Sequence, residues 1–534
     1  MATTYPDDDG ATSVGGKTWL GQPRGLFVLF FAEMWERFSY YGMRAILIFY
    51  LLQHWLFAED KAYIIYGAYT ALVYITPVIG GYLADRYIGQ RKAVQFGAVL
   101  LVIGHGLMAF EGTGGQDSPY LNVFWLALAF IIMGVGFLKA NISAMVGQLF
   151  GRGDPRRDPA FTIFYMGINL GAFLGSLIVG YLGQTYGWGW GFGAAGVGML
   201  LGLIVFVWGR PELMGRGEAP VGALDRHVMG LPMEYAVYLS GVIGVAVVWA
   251  LIQYQELVGW MLAAFGGIVV AYLLITAVFK LDKVSRDRIL AALFLISLQP
   301  LFWALFEQAG SSLNVYTDEQ VNREIFGWEV PASMFQSINA FYIVTLGPFF
   351  AMLWLFLARR GWEPSTPAKF GAALIQLGLG FFVLVAGAMA SDGLTPVIFI
   401  FLIYLLHTTG ELCLSPVGLS AMTKLAPARM VGLMMGTWFL STAAGNFIGG
   451  LIAQATGGHG GEEDASASAV LDVYSQIGWI GVGVGVAVIL VSPLIRRLMH
   501  EDIISSEADR ALAGQSQIGE PAAAGTDTPS ETRR

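Results

Sequence analysis

The sequence predicts an all-α polytopic membrane protein with two six-helix bundles and two accessory helices. Of its 534 residues, 56% are hydrophobic and only 13% are charged, against roughly 25% charged in an ordinary soluble domain. The mean hydropathy is +0.61. Apolar segments of about twenty residues, the length that crosses a bilayer as a helix, recur along the whole chain. Together these observations exclude a soluble globular protein.

We expect about 14 transmembrane helices, in two sets of six with a pair between them. The first six lie near residues 26–54, 62–84, 92–111, 121–150, 160–185 and 189–208. The pair lies near residues 232–254 and 257–280. The last six lie near residues 288–313, 333–358, 369–390, 395–423, 429–455 and 471–495. This pattern of two bundles around a central site is the usual plan of a secondary carrier.

These segments divide the chain into five regions. We expect a cytoplasmic tail at 1–25, a first bundle at 26–210, a linker with the accessory helices at 211–287, a second bundle at 288–497 and a tail at 498–534. The last region is rich in Ser, Ala, Glu and Thr and has little to bury, so we expect it to be disordered.

Basic residues predict the orientation, because short cytoplasmic loops are enriched in Lys and Arg. Alternate connections carry Arg86, Arg91, Lys92; Arg152, Arg156, Arg157; Arg210, Arg216, Arg226; Lys280, Lys283, Arg286; Arg359, Arg360; Lys424, Arg429; and Arg496, Arg497. The connections between them carry only Lys61 and Arg323. Both termini are therefore expected in the cytoplasm.

The first helix carries a cluster of charges within the stretch EMWERFSYYGMR. Five side chains, at about 100° per residue, project onto one face of the helix. They are Glu33, Glu36, Arg37, Tyr40 and Arg44. An ionisable side chain at the bilayer centre costs roughly 2.5 to 3.5 kcal/mol on insertion scales, so such a cluster indicates a transport pathway or a binding site. The alternative is an ion-pair network that only holds helices together.

Other charges follow in both halves, and their signs differ. The first bundle contributes mainly cations, Arg37, Arg44 and Lys139, whereas the second contributes Glu307 and Glu411. This arrangement suits a zwitterion whose carboxylate accepts charge-assisted hydrogen bonds. Because an extended chain spans about 3.3 to 3.6 Å per residue, clamps at both ends would accept only short peptides.

Aromatic and polar residues complete the candidate pocket. Tyr40, Tyr41, Tyr74, Trp303 and Trp438 offer apolar faces with polar tips, which can hold diverse side chains. For each of them, ordinary bundle packing is the alternative. Further polar candidates are Asn169, Asn339 and Ser415. His407 lies one turn before Glu411 and could carry protons or be a core residue.

The loop GGYLADRYIGQRKA, residues 80–93, resembles the signature between the second and third helices of the major facilitator superfamily. Asp85, Arg86, Gly89 and Arg91 occupy its positions, with one residue more than the commonest spacing between Arg86 and Gly89. Ion pairs made here in one conformation and lost in the other would give the loop a gating role. The alternative is a basic loop that only sets topology.

Four motifs in order resemble the proton-coupled oligopeptide transporter family, over residues of about 24 to 497. They are ExxERFSYYG at 33–42, FYMGIN at 164–169, FWALFEQ at 302–308 and GELCLSPVGLS at 410–420. The pair of helices at 232–280 resembles the insertion of bacterial members. The resemblance implies import of di- and tripeptides, coupled to protons, across the cytoplasmic membrane of a bacterium.

The resemblance also implies roles for single residues. Proton coupling would involve Glu33, Glu36, Arg37, Arg44 and Glu307, with Glu307 pairing with Arg44. Arg37 and Lys139 would receive the peptide carboxylate, and Asn169, Asn339 and Glu411 would surround its amino end and backbone. Tyr40, Tyr41, Tyr74 and Trp438 match pocket residues. Gly67 stands where mammalian members carry a histidine, which leaves the carboxylates to carry the proton.

We therefore expect a transporter and not an enzyme. The sequence contains no GxxxxGK[ST] phosphate loop and no HExxH motif, so neither an ATP-driven pump nor metal catalysis is expected. We expect no cofactor, no metal, no nucleic-acid partner and a monomer that works in the lipid bilayer. Two alternatives stay open: a carrier of the same fold for another solute, such as nitrate or a drug, and a peptide receptor that binds without transport.

Overall fold

The computed structural model describes residues 17–151, 154, 156–427, 430–457 and 463–500. Most of the two expected tails therefore lies outside the described residues, and so do Arg152 and Arg429 of the basic pattern. The C-terminal tail that we expect to be disordered also lies almost entirely outside the described residues, which end at His500.

The described part of the chain is a bundle of long α-helices. The first six are α1 (Arg24–Phe49), α2 (Glu59–Leu83), α3 (Gln90–Ala109), α4 (Leu121–Gln148), α5 (Arg157–Tyr186) and α6 (Trp188–Trp208). The accessory helices are α7 (Met233–Leu251) and α8 (Gln255–Lys280). The second half contains α9 (Lys283–Phe306), α10 (Ser312–Gln320), α11 (Ser337–Arg359), α12 (Thr366–Met389), α13 (Ile398–Leu425), α14 (Val431–Thr456) and α15 (Glu463–Met499).

Short elements complete the connections. Two π-helical turns cover Tyr50–His54 and Ala84–Ile88, and three 3-10 turns cover Arg210–Leu213, Glu307–Gly310 and Ala332–Gln336. Two-residue strands pair Thr18–Trp19 with Gln22–Pro23, His227–Val228 with Leu231–Pro232, Glu324–Ile325 with Trp328–Glu329 and, in parallel, Val321–Asn322 with Thr395–Pro396. These strands fasten loops and form no larger sheet within the described residues.

Helix lengths and apolarity agree with a membrane protein. Twelve helical segments in the described residues are long and apolar enough to cross a bilayer, with α9 and α10 forming one of them. Helices α1 and α14, each 26 residues long, are not among these twelve but bring the long helical segments of the described residues to fourteen. The predicted all-α, polytopic fold with two bundles and an accessory pair is confirmed.

One expected helix is interrupted. The segment predicted near 288–313 lies within the membrane-length helical segment Lys283–Gln320. Inside that segment, α9 ends at Phe306 and a 3-10 turn, Glu307–Gly310, follows it. A Cβ at Gly310 would overlap the hydroxyl of Tyr66 on α2. The break therefore places Glu307 at the junction of the two bundles.

Small residues let the helices pack closely. Helix α1 packs on α5 and α6, and α3 packs on α4 and α6. Gly171 and Gly175 of α5 face the backbone of α1, where a Cβ would overlap the carbonyl oxygens of Met34 and Phe38. Such GxxxG spacing allows backbones to approach in lipid, where apolar surfaces alone give little driving force.

The two bundles meet at one end of the molecule. We use "basic end" for the end where α1 begins at Arg24 and where Arg86 and Arg91 lie, and "opposite end" for the other. At the opposite end, α2 packs on α14 with Gly67 against Gly450.

Further contacts close the opposite end. Asn314 Nδ2 donates to the carbonyl oxygen of Ala45 at 3.0 Å, and Ser333 Oγ donates to Gln184 Oε1 at 2.6 Å. The contacts between the bundles that these residues make therefore close the opposite end of the molecule.

Candidate functional site

The charged residues of α1 form a buried ion-pair cluster. Arg37 Nε lies 2.7 Å from Glu33 Oε1 and 2.8 Å from Glu36 Oε2. All three side chains are almost fully buried. Arg37 Nη2, Glu33 Oε2 and Glu36 Oε1 have neither a hydrogen-bond nor an ion-pair partner among the described residues. The cluster therefore keeps one donor and two acceptors in reserve, which is costly for buried polar groups.

A second buried pair joins the two bundles. Arg44 Nη2 of α1 pairs with Glu307 Oε2 in the turn after α9. Arg44 Nε donates to the hydroxyl oxygen of Tyr66 on α2 at 2.6 Å. All three side chains are buried. This ion pair therefore crosses the junction of the bundles beside the closed opposite end.

Lys139 of α4 lies nearby and is only partly buried. Its Nζ is 4.0 Å from the ring centroid of Tyr74 on α2, a distance typical of a cation–π contact. The neighbouring Tyr40 and Tyr41 rings pack on each other with centroids 5.1 Å apart. Arg37 lies 5.9 Å from the Tyr40 ring. Cations and aromatic faces thus occur together in the first bundle.

The second bundle supplies a carboxylate held by an amide. Asn339 Nδ2 of α11 donates to Glu411 Oε2 of α13 at 3.0 Å and to Thr408 Oγ1 at 3.1 Å. Glu411 is partly exposed. In the first bundle, Asn169 Nδ2 donates to the carbonyl oxygen of Tyr165 at 3.0 Å. Glu411 therefore presents a positioned carboxyl group on the second bundle.

The remaining pocket candidates are placed differently. Trp303 is partly exposed, and its Nε1 donates to Gln299 Oε1 at 2.6 Å. Ser415 is also partly exposed. Trp438 is 4% exposed and packs in the core of the second bundle against Phe370, with ring centroids 6.4 Å apart.

His407 is a buried neighbour of this core. Its Nε2 lies 3.3 Å from the carbonyl oxygen of Leu377. Its ring centroid is 5.0 Å from that of Phe381. These contacts favour the interpretation of His407 as a core residue whose ring nitrogen faces a backbone carbonyl oxygen.

The loop between α2 and α3 contacts the linker of the accessory helices. Arg91 donates two hydrogen bonds to Glu218, at 2.6 and 2.9 Å. These hydrogen bonds hold the pKa of the Glu218 carboxyl below its ordinary value. Asp85 Oδ1 accepts from Gln90 Nε2 at 2.6 Å. Gly89 has a φ of +78°, a left-handed conformation that favours glycine.

The structure adds partners that the sequence interpretation missed. Tyr66, Gln299, Thr408 and Glu218 each contact a predicted site residue. For Tyr66 a signal existed, because Tyr66 and Tyr74 lie eight residues apart and so share one face of α2. For Glu218 no pattern in the sequence indicated a partner more than a hundred residues away in the chain.

The fold and the site define a class of protein. In the described residues, the long helices of two bundles surround buried charges of opposite sign, as in a membrane transporter. A sequence model described as "POT family" matches residues 91–462. The chain belongs to the POT family, the proton-coupled oligopeptide transporters.

Individual relatives agree with this assignment. An uncharacterized transporter of Bacillus subtilis, YclF, is 39% identical over 500 residues, covering 91% of this chain and 97% of the relative. The peptide transporter YePEPT of Yersinia enterocolitica is 35% identical over 513 residues, covering 91% and 97%. A crystal structure of a peptide transporter POT in complex with sulfate is similar with a TM-score of 0.78 at 36% identity, covering 92% of this chain and 98% of that chain.

Proposed function

We propose that this chain is a proton-coupled symporter that imports di- and tripeptides across the cytoplasmic membrane of a bacterium by alternating access. Relatives that cover nearly the whole chain are named as peptide transporters and as dipeptide and tripeptide permeases. The observation that carries the proposal is the separation of charge. Arg37 and Lys139 lie on the first bundle, and Glu411 with Asn339 lies on the second.

The ends of a peptide would bridge this separation. We propose that the unpaired Nη2 of Arg37 and the ammonium of Lys139 donate to the terminal carboxylate. Glu411, held by Asn339, would accept from the peptide ammonium, and each such charged hydrogen bond contributes roughly 1.5 to 3 kcal/mol. The remaining proposed pocket residues are Tyr40, Tyr41, Tyr74, Asn169, Trp303, Ser415 and Trp438.

The proton would act on the pair that joins the bundles. A proton on Glu307 removes the charge that Arg44 pairs with, and so weakens the closed opposite end. If the two conformations bind the proton with different affinities, thermodynamic linkage requires that proton binding shift the equilibrium between them by the same free energy. Glu33 and Glu36, beside Arg37, would couple peptide and proton in the first bundle.

The proton gradient is sufficient to drive uptake without a cofactor. A charge gains roughly 2.3 kcal/mol per 100 mV, and a pH unit adds about 1.4 kcal/mol. A membrane at about 150 mV and one pH unit therefore provides roughly 5 kcal/mol per proton, enough for a concentration ratio of several thousand.

The orientation follows from the basic loops. We propose that the basic end faces the cytoplasm, with both termini on that side, so that the conformation described here is inward-open. The proposed regions are a tail at 1–25, bundles at 26–210 and 288–497, a linker at 211–287 and a tail at 498–534. Asp85, Arg86, Gly89 and Arg91 are proposed to gate the basic end, in a protein that works as a monomer.

Uptake of labelled dialanine into proteoliposomes tests the proposal. With an inward proton gradient the vesicles should accumulate dialanine above the external concentration, and without the gradient they should only equilibrate. Binding of dialanine with no uptake in either case would instead support a receptor. Uptake that ignores the proton gradient would overturn the coupling.

A further inference from the structure

The two accessory helices pack differently on the two bundles. Val237 of α7 packs in the apolar cluster that contains the core of the first bundle, and α7 packs on α4. The first half of α8, with Val258, belongs to the same cluster, while α8 also packs on α9 and α14. Tyr238 of α7 stacks on Phe96 of α3 with ring centroids 4.8 Å apart. In contrast, Leu273 of α8 is fully buried in the core of the second bundle. The pair is therefore not a separate hairpin beside the transporter.

Helix α7 and the linker before it are fastened to the first bundle at the basic end. Glu218 pairs with Arg91, as described above, and Glu234 of α7 pairs with Lys92. The backbone N–H of Gly217 donates to Gln148 Oε1 of α4 at 2.9 Å. These contacts make α7 part of the first bundle when the bundles move.

The first turns of α8 contact both bundles at the opposite end. Lys61 Nζ of α2 donates to Gln255 Oε1, the first residue of α8, at 2.6 Å. One turn later, Gly259 lies against the ring of Phe447 on α14, where a Cβ would meet the ring at 2.6 Å. Helices α2 and α14 are the helices that meet at the closed opposite end. Only while they meet can α8 keep both contacts.

A short connection joins α7 to α8. Helix α7 ends at Leu251 and α8 begins at Gln255. Fully extended, the four steps between these Cα atoms reach about 13 to 14 Å. At the basic end, by comparison, residues 209–232 separate α6 from α7. The connection between α7 and α8 is therefore short at the end of the molecule where the bundles would separate in an outward-open state.

We propose that α7 and α8 form a strap across the opposite end that limits how far it opens and stabilises the inward-open conformation. The inference depends on the alternating-access cycle proposed above. The strap favours one state because the Lys61–Gln255 hydrogen bond and the Gly259–Phe447 contact exist together only while α2 and α14 touch. A contact can shift a conformational equilibrium only by such a difference between states.

The distance between the bundles at the opposite end tests the strap. Spin labels would be placed by Asp117→Cys in the first bundle and Asp392→Cys in the second, both at exposed loop positions, in a Cys413→Ala background. Electron double resonance then gives the distance distribution without peptide or proton gradient. Its result therefore does not depend on which solute the protein carries.

Lengthening the connection should release the strap. Six Gly-Ser residues inserted between Gln253 and Tyr254 should raise the share of long distances, and the longest distances should increase. The matched control is the same insertion after Val221, which is 93% exposed in the linker at the basic end. It should leave the distribution as in the parent. Identical distributions for both insertions and the parent would overturn the strap.

A point substitution provides a second test should the insertion disturb folding. Gln255→Ala removes the partner of Lys61 and should raise the ratio of open to closed molecules about three- to tenfold, the range of a partly exposed hydrogen bond to a charged group. Gln253→Ala is the control, because Gln253 Nε2 donates to a near neighbour in the chain, the carbonyl oxygen of Trp249 in α7. Equal ratios in the two variants would contradict the proposal.

Discussion

Arg37 keeps a buried guanidinium nitrogen free beside two carboxylates. Its Nε faces Glu33 and Glu36, whereas Nη2 has no partner in the described part of the chain. An unpaired buried donor costs about 1 to 3 kcal/mol, so a ligand that supplies an acceptor recovers that free energy. A peptide carboxylate is such an acceptor.

We expect Arg37→Ala and Lys139→Ala each to weaken binding of a free-acid dipeptide. Loss of one charged hydrogen bond, roughly 1.5 to 3 kcal/mol, raises Kd about 10- to 150-fold. Calorimetry with purified protein measures the change, and the C-terminally amidated dipeptide is the control ligand. If wild type binds the amide as tightly as the acid, the proposed carboxylate clamp is wrong.

Glu411 should recognise the peptide amino end. Glu411→Gln keeps the size of the side chain and its contact with Asn339, but it loses the negative charge. We expect the variant to bind free and N-acetylated dipeptides with similar Kd, whereas wild type prefers the free amine. If the variant still prefers the free amine over the N-acetylated dipeptide by the wild-type margin, Glu411 does not bind the peptide amino end, and Asn169 or Asn339 becomes the better candidate.

Tyr66 should support the pair between the bundles. Tyr66→Phe removes the hydroxyl that accepts from Arg44 and should lower the free energy of unfolding in detergent by up to roughly 1.5 to 3 kcal/mol. Tyr69→Phe is the matched control, because the buried Tyr69 hydroxyl has no partner among the described residues. Equal melting temperatures for the two variants would count against the role of Tyr66.

At the scale of elements, the linker before α7 is held by an ion pair at the basic end. Arg91 donates to both Glu218 oxygens and lowers the pKa of the Glu218 carboxyl. A carboxyl group whose pKa is lower in the folded state than in the unfolded state stabilises the folded state at pH values above its unfolded-state pKa, about 4.3. This stabilisation is lost as the pH falls through the pKa of the group in the folded state.

The difference in stability between wild type and Glu218→Gln should therefore depend on pH. At pH 7 wild type should be more stable, by no more than about 1 kcal/mol because the pair is partly exposed. As the pH falls below about 4.3, the difference should disappear. Thermal unfolding of both proteins across this pH range measures it. A difference that grows on acidification would show that the pair does not act as described.

At the scale of the whole molecule, we propose that the Arg44–Glu307 pair connects proton binding to the closed opposite end. Glu307→Gln resembles the permanently protonated side chain. We expect the variant to lose uptake driven by a proton gradient while it retains peptide exchange between equal pools, because exchange needs no net proton movement. Counterflow in proteoliposomes measures the exchange. If Glu307→Gln still accumulates peptide against a concentration gradient when a proton gradient is imposed, Glu307 is not the essential coupling site, and Glu33 and Glu36 become the candidates.

The sequence by itself determined the class, the helices and the candidate charges. Apolar segments of membrane-spanning length are local features, and charges within them, such as Glu33 and Arg37, stand out because burial in lipid is costly. The four motifs of the family likewise needed no coordinates. The ends of α6, Trp188–Trp208, lie within one residue of the predicted segment 189–208, whereas α15 begins at Glu463, eight residues before the predicted start at 471.

Tertiary structure alone decided which partners meet and which end is closed. In the turn at Glu307, Gly310 faces Tyr66, a residue of the other bundle. Burial of Trp438 in a core depends on its packing against Phe370. Closure of the opposite end depends on Gly67 meeting Gly450. These contacts join residues far apart in the chain, and helical periodicity reports only which side chains share a face, so it cannot indicate what that face touches.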